Sequence, residues 1–374
     1  MRTLSSLLLL ALPLFGLENT TCQKCHPKIY QEYQRSIHAK ASIYTDAIHK
    51  AVWDKHPAKP KGNYNCAVCH TPADHALTQH KGLPADNAIQ HNEPISCQSC
   101  HTIESIQTHA KRNINHYTDK PKYFYAADKQ RKGQKVIFKE EKSLFGLLTH
   151  TTGSPYHDID YSNENFYNGG VCLGCHDHKQ NGKGFSICDL EVKQTPEDPT
   201  CMGCHMPQTQ GAVANQKQTQ THAFHGNSIH QTPKHLASYV PLSLTTDANG
   251  FSVTIENQAT HTLFPQPLRE GQLRVSITHQ GKTATLPPVS FKRTIGKAGK
   301  PAMPWLATEV LNDSTIKAKE KRAIHFDTPL HPGDEVTLTL GYYLVNPKAA
   351  KALNITQEEA TQFIVLNKTH ITIP

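Results

Sequence analysis

A five-residue motif, Cys-x-x-Cys-His, occurs five times in this 374-residue chain and constrains its fold more than any other feature. With 11 cysteines and 25 histidines in the chain, random placement would give about 0.02 copies of the motif. Ten of the eleven cysteines belong to the motif, so their spacing argues against a disulfide framework. We name the copies sites 1 to 5 in chain order: Cys22–His26, Cys66–His70, Cys97–His101, Cys172–His176 and Cys201–His205.

Covalent attachment of haem c is the chemistry that needs this motif. Two thiols three positions apart can add across the two vinyl groups of one porphyrin, and the next histidine gives its imidazole to the iron. Zinc sites and thioredoxin-like redox pairs also use paired cysteines, but neither needs a histidine after every second cysteine. The sequence therefore predicts five haems, held by Cys22, Cys25, Cys66, Cys69, Cys97, Cys100, Cys172, Cys175, Cys201 and Cys204, with His26, His70, His101, His176 and His205 as proximal iron ligands.

The motifs lie close together along the chain, with starts separated by 44, 31, 75 and 29 residues. These intervals are too short for one domain per haem. We therefore expect the haems to share one core and to lie near one another, as an electron relay requires. The hydrophobic content of 37% is low, which agrees with an interior filled partly by porphyrin.

The sixth ligand of most irons is expected to be histidine, because 20 of the 25 histidines lie outside the motifs and methionine is scarce. Bis-histidine ligation favours lower potentials than His/Met ligation. His38 is the first candidate. It follows His26 by twelve residues, about 18 Å along a helix, so it should serve a neighbouring haem. The further candidates, in order, are His109, His222, His225 and His261.

The remaining histidines are weaker candidates. His75, His80 and His178 lie close to their own motifs. The following are expected to be solvent histidines rather than ligands: His49, His56, His91, His116, His150, His157, His230 and His235. The eleventh cysteine, Cys188, is expected to be an inert buried thiol; a free reactive thiol and pairing with another chain remain the alternatives.

Composition divides the chain into three parts. Residues 1–18 predict a cleaved secretion signal, with Arg2 before a short apolar stretch; an uncleaved anchor is the alternative. Residues 19–236 predict a mostly α-helical or irregular multihaem domain with a loop-rich insertion at 110–168. Residues 237–374 lack cysteine and show period-2 patterns, which predict an all-β, immunoglobulin-like sandwich with a short helix near Pro347–Leu353. The fold class is therefore α+β.

The formal charge of +8 does not indicate nucleic-acid binding, because the basic residues form no stripe and no binding motif accompanies them. Removal of residues 1–18 takes away both Arg2 and Glu18 and leaves the formal charge at +8. Five haems bring about −10 from propionates and about +5 from ferric iron. The loaded protein is thus expected to be nearly neutral, with a charge that depends on its redox state.

With these residues in view, the chain resembles the multihaem cytochrome c family that includes cytochrome c554. The matching stretches are Cys22-x-x-Cys25-His26-Pro27-x-x-Tyr30-x-x-Tyr33-x-x-Ser36-x-His38-x-x-Ala41 and Cys201-x-x-Cys204-His205-Met206-Pro207 followed by His222 and Gly226. The Asn257…His261…Pro265…Arg269 pattern is similar to β-sandwich tails of some multihaem cytochromes. The resemblance implies a distal-ligand role for His38 and periplasmic electron transfer, with related branches that act on small nitrogen and sulfur compounds.

Two functions are compatible with this sequence. The favoured one is a periplasmic electron carrier between a quinol-oxidising membrane cytochrome and a terminal reductase or oxidase, with no membrane span in the mature chain and no nucleic-acid partner. The alternative is a multihaem oxidoreductase that acts on a small nitrogen or sulfur compound at a haem without a distal ligand. A polymerising cytochrome with relays across subunits is a third reading, so an oligomer stays open, as does catalytic activity.

Overall fold

A computed structural model of the protein describes residues 18–73, 93–143, 148–215, 220–226 and 233–374. The predicted secretion signal lies outside the described residues apart from Glu18, and so do His75, His80, His91 and His230. No helix in these ranges is long and apolar enough to cross a membrane. Helices and small sheets alternate in the first part of the chain, and longer strands dominate the second.

The helices of the first part are short, and most of them carry or adjoin a motif. Pro27 occupies the first position of the second helix, where its fixed φ suits a helix start. The Asp46 carboxylate caps the third helix by accepting from the N–H groups of Ile48 and His49 at 2.9 and 3.0 Å. In chain order the helices are α1 (Asn19–Gln23), α2 (Pro27–Gln34), α3 (Ala47–Asp54), α4 (Ala67–His70), α5 (Cys97–His101), α6 (Asn165–Asn168), α7 (Gly170–His176), α8 (Cys201–His205) and α9 (Pro233–Ala237).

Short strands connect these helices. They form the pairs β1 (Ile103–Gln107) with β2 (Ile114–Tyr117), β5 (Lys139–Ser143) with β6 (Leu148–Thr152), β8 (His178–Gln180) with β9 (Ser186–Asp189), and β10 (Gln208–Gly211) with β11 (Gln220–Ala223). A three-stranded sheet has the order β3 (Tyr123–Tyr125), β7 (Asp158–Asp160), β4 (Lys135–Val136).

The segment 110–168, predicted as a loop-rich insertion, is therefore richer in β-structure than expected. Tyr123, Tyr125 and Phe166 form a small buried aromatic cluster beneath β3. The Tyr123 hydroxyl donates to the buried Asp160 carboxylate at 2.7 Å. Strands of two to five residues contain too few apolar positions to produce a period-2 pattern, which explains why the sequence showed none.

The second part contains two sheets that share one apolar core. One sheet has the order β12 (Leu242–Asp247), β13 (Gly250–Glu256), β20 (Lys321–Phe326). The other has the order β15 (Lys282–Thr285), β14 (Glu270–His279), β21 (Glu335–Tyr343), β22 (Phe363–Thr372), with β16 (Val289–Phe291) also paired to β14. A third sheet has the order β18 (Lys300–Pro301), β17 (Arg293–Lys297), β19 (Glu309–Asp313). Two helices, α10 (Pro347–Leu353) and α11 (Glu358–Thr361), lie between β21 and β22 in the chain.

Alternating apolar residues bury one face of each large sheet. Val253 and Ile255 of β13 and Val275 and Leu338 of the other sheet are at most 1% exposed and belong to one cluster. The α+β class is thus confirmed, and α10 lies where the sequence placed a helix. The immunoglobulin-like topology and the boundary at 236/237 stay predictions. Leu236, which we assigned to the first part, packs in the core of the second.

The two parts contact each other through backbone and side-chain hydrogen bonds. Arg293 donates to the carbonyls of Ile187 and Ser186 at 2.7 and 3.0 Å. Asn181 donates to the carbonyls of Pro304 and Ala307 at 2.9 and 2.8 Å. Loops of the second part thereby reach the sites of the first.

Candidate functional site

Each motif folds into about one helical turn, which brings its two cysteines and its histidine together. At site 1 the His26 N–H donates to the Cys22 carbonyl at 2.8 Å, and at site 2 the His70 N–H donates to the Cys66 carbonyl at 3.0 Å. Hydroxyl caps start the turns of sites 3 and 5. Ser96 accepts from the Ser99 N–H and Thr200 from the Gly203 N–H, both at 3.2 Å. All eleven cysteines lie in the described residues and are free.

Four of the five motif histidines face a second imidazole at nearly the same separation. The ring centroids are 6.1 Å apart for His26 and His157, 6.0 Å for His176 and His38, 6.2 Å for His101 and His225, and 6.2 Å for His205 and His261. The partner histidines come from distant parts of the chain, including a loop of the second part. The four pairs therefore tie together segments far apart in sequence.

This separation fits an iron atom between the two rings. With each iron–nitrogen bond at about 2 Å and each ring nitrogen about 1 Å from its centroid, two imidazoles on one iron have centroids about 6 Å apart. A directly stacked or hydrogen-bonded pair of rings has no reason to adopt this spacing four times. The residues present at these four sites thus fit a bis-histidine haem.

Backbone carbonyls fix the orientation of several of these rings. The Nδ1–H of His26 donates to the Val213 carbonyl at 2.5 Å, and that of His101 to the Tyr125 carbonyl at 2.7 Å. His225 donates in the same way to its neighbour Ala223 at 2.7 Å. A histidine bound to a metal through one nitrogen typically donates from the other. These bonds leave Nε2 as the nitrogen available to an iron.

Burial keeps several of the paired imidazoles neutral. Burial, with His176 close by, lowers the pKa of His38 to about 4, and burial beside His101 lowers the pKa of His225 to about 3. The pKa of His205 is lowered to about 4, first by burial and then by His261. The neutral imidazole is the form with a free lone pair, so at neutral pH these rings are ready to bind a metal.

Site 2 has a different geometry. The rings of His70 and His49 are only 3.9 Å apart between centroids, which is too close for an iron between them. Both Nδ1–H groups donate to the Ala41 carbonyl, at 3.2 and 3.1 Å, and His49 Nε2 lies 3.2 Å from the Tyr64 hydroxyl. Tyr64 and Trp53 are almost fully buried beside them. Site 2 is thus a compact aromatic pocket without an opposed imidazole among the described residues.

Three of the five predicted distal histidines, His38, His225 and His261, lie opposite a motif histidine. His38 faces site 4 rather than site 1, and its role as a ligand of another haem stays a prediction. His109 and His222 do not face any motif histidine at that separation. His109 is exposed, and its carbonyl accepts from His178 at 2.9 Å.

The buried His222 ring contacts the Glu32 carboxylate instead, with Nε2 at 3.1 and 3.2 Å from its two oxygens. Successive side chains of a strand point to opposite faces, and β11 directs His222 towards α2. His225 lies beyond the strand end, and its N–H donates to the same carboxylate at 3.0 Å. Glu32 therefore positions the segment from which His225 reaches site 3.

Two histidines that face or contact a motif histidine, His157 and His49, were not expected to do so. His157 lies at the start of β7, inside the segment interpreted as an insertion. The signal that could have indicated it is its position among four aromatic residues between 156 and 167. His49 lies on the apolar face of α3 with Trp53 one turn later, a spacing typical of a buried helix face.

The sites themselves are in contact. Thiols of different motifs lie close enough to shift each other's pKa in three places: Cys22 with Cys97, Cys69 with Cys175, and Cys172 with Cys201. Site 1 therefore adjoins site 3, and site 4 adjoins both site 2 and site 5. At the last contact, Gly169 has φ +81°, and a Cβ there would lie 3.0 Å from the Cys201 nitrogen, so glycine permits the close approach.

The half-buried side chain of Arg269 lies next to sites 4 and 5. Arg269 Nε is shielded from solvent and has no hydrogen-bond partner among the described residues. Its guanidinium lies 5.5 Å from the Tyr342 ring centroid. The pKa values of His176 and His261 are lowered mainly by burial, and the positive charge of Arg269 contributes to both shifts. A shielded N–H of a charged group without an acceptor is costly, so its surroundings fit an anionic group bound between these sites.

Comparisons with known proteins agree with this geometry. Residues 21–102 match the family described as cytochrome c554 and c-prime. Among curated proteins no match was found. The fold is similar to the crystal structure of a penta-heme cytochrome c552 from Thermochromatium tepidum, with a TM-score of 0.70 and 19% identity over 96% of this chain and 99% of that one. Residues 21–102 are thus similar to the cytochrome c554 and c-prime family, and the fold of the chain is similar to that of a penta-heme cytochrome.

Proposed function

We propose that the protein is a pentahaem electron carrier. The observation that carries this proposal is the set of four imidazole pairs at 6.0–6.2 Å, one at each of sites 1, 3, 4 and 5. In this proposal the ten motif cysteines hold five haems covalently, and each iron exchanges one electron without a bound substrate. A saturated iron has no open position, so these four sites are suited to electron transfer rather than catalysis.

The chain offers two opposed imidazoles at each of these four sites. His26, His101, His176 and His205 would bind the iron as proximal ligands, and His157, His225, His38 and His261 would be the respective distal ones. His38 and His225 come from segments adjoining other sites. Their ligation would therefore fix the position of one haem relative to another.

The cysteine contacts support a continuous relay. They link site 1 to site 3, and site 2 to site 5 through site 4. Cys100 of site 3 lies close enough to Cys172 and Cys175 to raise the pKa of both thiols, after the larger effects of neighbouring cysteines and burial. Site 4 is thus the hub that connects the remaining sites.

Arg269 is proposed as the partner of a haem propionate at site 4 or site 5. Its shielded Nε lacks a hydrogen-bond acceptor among the described residues, and a carboxylate is the anion that a guanidinium binds best. A positive charge at this position stabilises the reduced state of a nearby haem. Arg269 would therefore raise its reduction potential.

The location is proposed from the attachment chemistry and the sequence, and the partners from the family resemblance. We propose that the signal at 1–18 exports the chain to the periplasm. There it would carry electrons from a quinol-oxidising membrane cytochrome to a terminal reductase or oxidase. These partners rest on the family resemblance.

Site 2 favours a second candidate function. In the ranges that the structure describes, no imidazole faces His70 at the spacing of the other sites, and His49 is held by Ala41 and Tyr64. A haem there could retain an open position for a small nitrogen or sulfur compound. The protein would then be an oxidoreductase fed by the other four haems.

A potentiometric titration of the purified haem protein, followed optically, tests the two candidates. An electron carrier takes up five electrons per chain, and its spectra stay unchanged on addition of nitrite, hydroxylamine or sulfite. If any of these compounds shifts the absorbance of about one haem in five, the protein is an oxidoreductase rather than an electron carrier. Uptake of fewer than five electrons would contradict the haem count.

A further inference from the structure

Three potential metal ligands converge at one end of the β-rich part, far along the chain from the motifs. They are His279, His331 and Asp334, and their ligand atoms all lie within 4.8 Å of one another. His279 Nδ1 is 2.5 Å from Asp334 Oδ1, and His331 Nδ1 is 3.7 Å from Asp334 Oδ2. The two imidazole rings are 5.3 Å apart between centroids.

The fold holds this cluster in place from two directions. His279 is the last residue of β14, which pairs with β21, and Asp334 directly precedes β21. His331 and Asp334 are the ends of a turn with Pro332 and Gly333 at its centre. The Asp334 N–H donates to the His331 carbonyl at 3.0 Å, and Gly333 has φ +86°. Proline followed by a residue with positive φ is the signature of a type II turn, which places His331 over Asp334.

The carboxylate is fixed, whereas the imidazoles can adjust. The Asp334 side chain is 2% exposed, and one of its oxygens accepts from the His331 N–H at 2.8 Å. The side chains of His279 and His331 are 49% and 63% exposed. Ligands about 2 Å from one ion lie at most about 4 Å apart, so small rotations of the exposed rings would bring all three atoms to bonding distance.

We propose that His279, His331 and Asp334 bind one divalent transition-metal ion of the zinc or copper class. Imidazole nitrogens with one carboxylate oxygen suit these ions better than magnesium or calcium, which prefer all-oxygen sites. Three protein ligands leave at least one position for water or for a side chain of a partner. The site is separate from the haem iron ligands and does not depend on the proposed electron-transfer function.

A bound ion would connect β14 to the turn before β21 and, through it, to the C-terminal residues. Gly333 and Asp334 already exchange backbone hydrogen bonds with Ile373, both at 2.9 Å. Binding to the folded state alone raises stability in proportion to the logarithm of ligand concentration. Zinc should therefore stabilise the β-rich part of the molecule.

Calorimetric titration of the haem-loaded protein with zinc chloride tests the proposal, with the double variant His279→Ala/His331→Ala for comparison. We expect one equivalent of zinc at micromolar affinity in the native protein. Loss of an outer-shell partner alone typically costs 10- to 100-fold in metal affinity, so the double variant should lose at least that much. Its far-ultraviolet circular dichroism and thermal midpoint without zinc should match those of the native protein, which shows that the β-rich part has folded.

The matched control is His325→Ala. His325 is an exposed histidine of β20 near the carboxylates of Asp247 and Asp327, at 3.6 and 3.2 Å, but without a second histidine ligand. The His325→Ala variant should bind one equivalent of zinc, as the native protein does. Absence of stoichiometric binding in the native protein, or equal binding in the double variant, would overturn the proposal and leave Asp334 as a cap of its turn.

Discussion

The two parts of the molecule are stabilised in different ways. In the β-rich part, one apolar cluster contains twenty buried residues. In the motif-bearing part, two apolar clusters contain only four and three buried residues. The interior of the motif-bearing part is instead occupied by histidine pairs and by cysteines in contact with one another. We therefore expect the core of the β-rich part to be stable from the chain alone, and the core of the motif-bearing part to need the haems.

Removal of the haem at site 4 should have the largest effect, because site 4 is the hub of the cysteine contacts. We expect the Cys172→Ala/Cys175→Ala variant to lose one haem in mass and to leave the motif-bearing part unfolded and sensitive to protease, since buried polar pairs cannot replace a core. Intact-mass measurement and limited trypsin digestion provide the readout. Cys188→Ala, which lies outside the motifs, should keep five haems and the native digestion pattern.

Leu338→Ala tests the other half of the comparison. Leu338 is fully buried at the centre of β21, between β14 and β22. Truncation of a buried leucine to alanine costs about 2–5 kcal/mol, so the denaturation midpoint of the β-rich part should fall while the haem spectrum persists. The control is Val365→Ala, because the Val365 side chain on β22 is exposed. Simultaneous loss of the haem spectrum would show that the two parts unfold as one unit.

Asp160 provides a smaller, pH-dependent test within the motif-bearing part. Burial opposes ionisation of this carboxyl, but hydrogen bonds from Ser162 and Tyr123 and the nearby Lys135 outweigh it and lower its pKa to about 2. A lowered folded-state pKa contributes stability above the unfolded-state value, near 3.8, that disappears as pH falls towards 2.

The Asp160→Asn variant should therefore be about 2 kcal/mol less stable than the native protein at pH 7, with the difference vanishing near pH 2. Urea denaturation at several pH values, followed by tyrosine fluorescence, measures this. A constant difference across the whole range would show that the asparagine disturbs packing rather than charge.

Arg269→Gln should have the smallest effect on stability and a specific effect on potential. Loss of the positive charge beside sites 4 and 5 should lower one haem potential by tens of millivolts and leave the others in place. Arg274→Gln is the control, because Arg274 lies on β14, which Arg269 directly precedes, but stacks on Phe363 at 3.4 Å. An unchanged set of potentials in Arg269→Gln would exclude the propionate contact.

The sequence predicted the local features of both parts and few of the distant contacts. The motifs and the strands of the second part depend on residues a few positions apart, so their spacing is visible directly. The pairing of His26 with His157 joins residues 131 positions apart, and only the folded chain determines it. His222 and His225 were equally good candidates by spacing. The direction of β11 turns the His222 side chain towards Glu32, whereas His225, whose N–H donates to the same carboxylate, faces site 3.

Low-temperature electron paramagnetic resonance of the oxidised haem protein tests the central claim most directly, since it separates bis-histidine low-spin iron from iron with an open position. We predict low-spin bis-histidine signals for four haems per chain and a distinct signal for the haem at site 2. A spectrum dominated by high-spin iron, or a colourless protein without any haem signal, would contradict it.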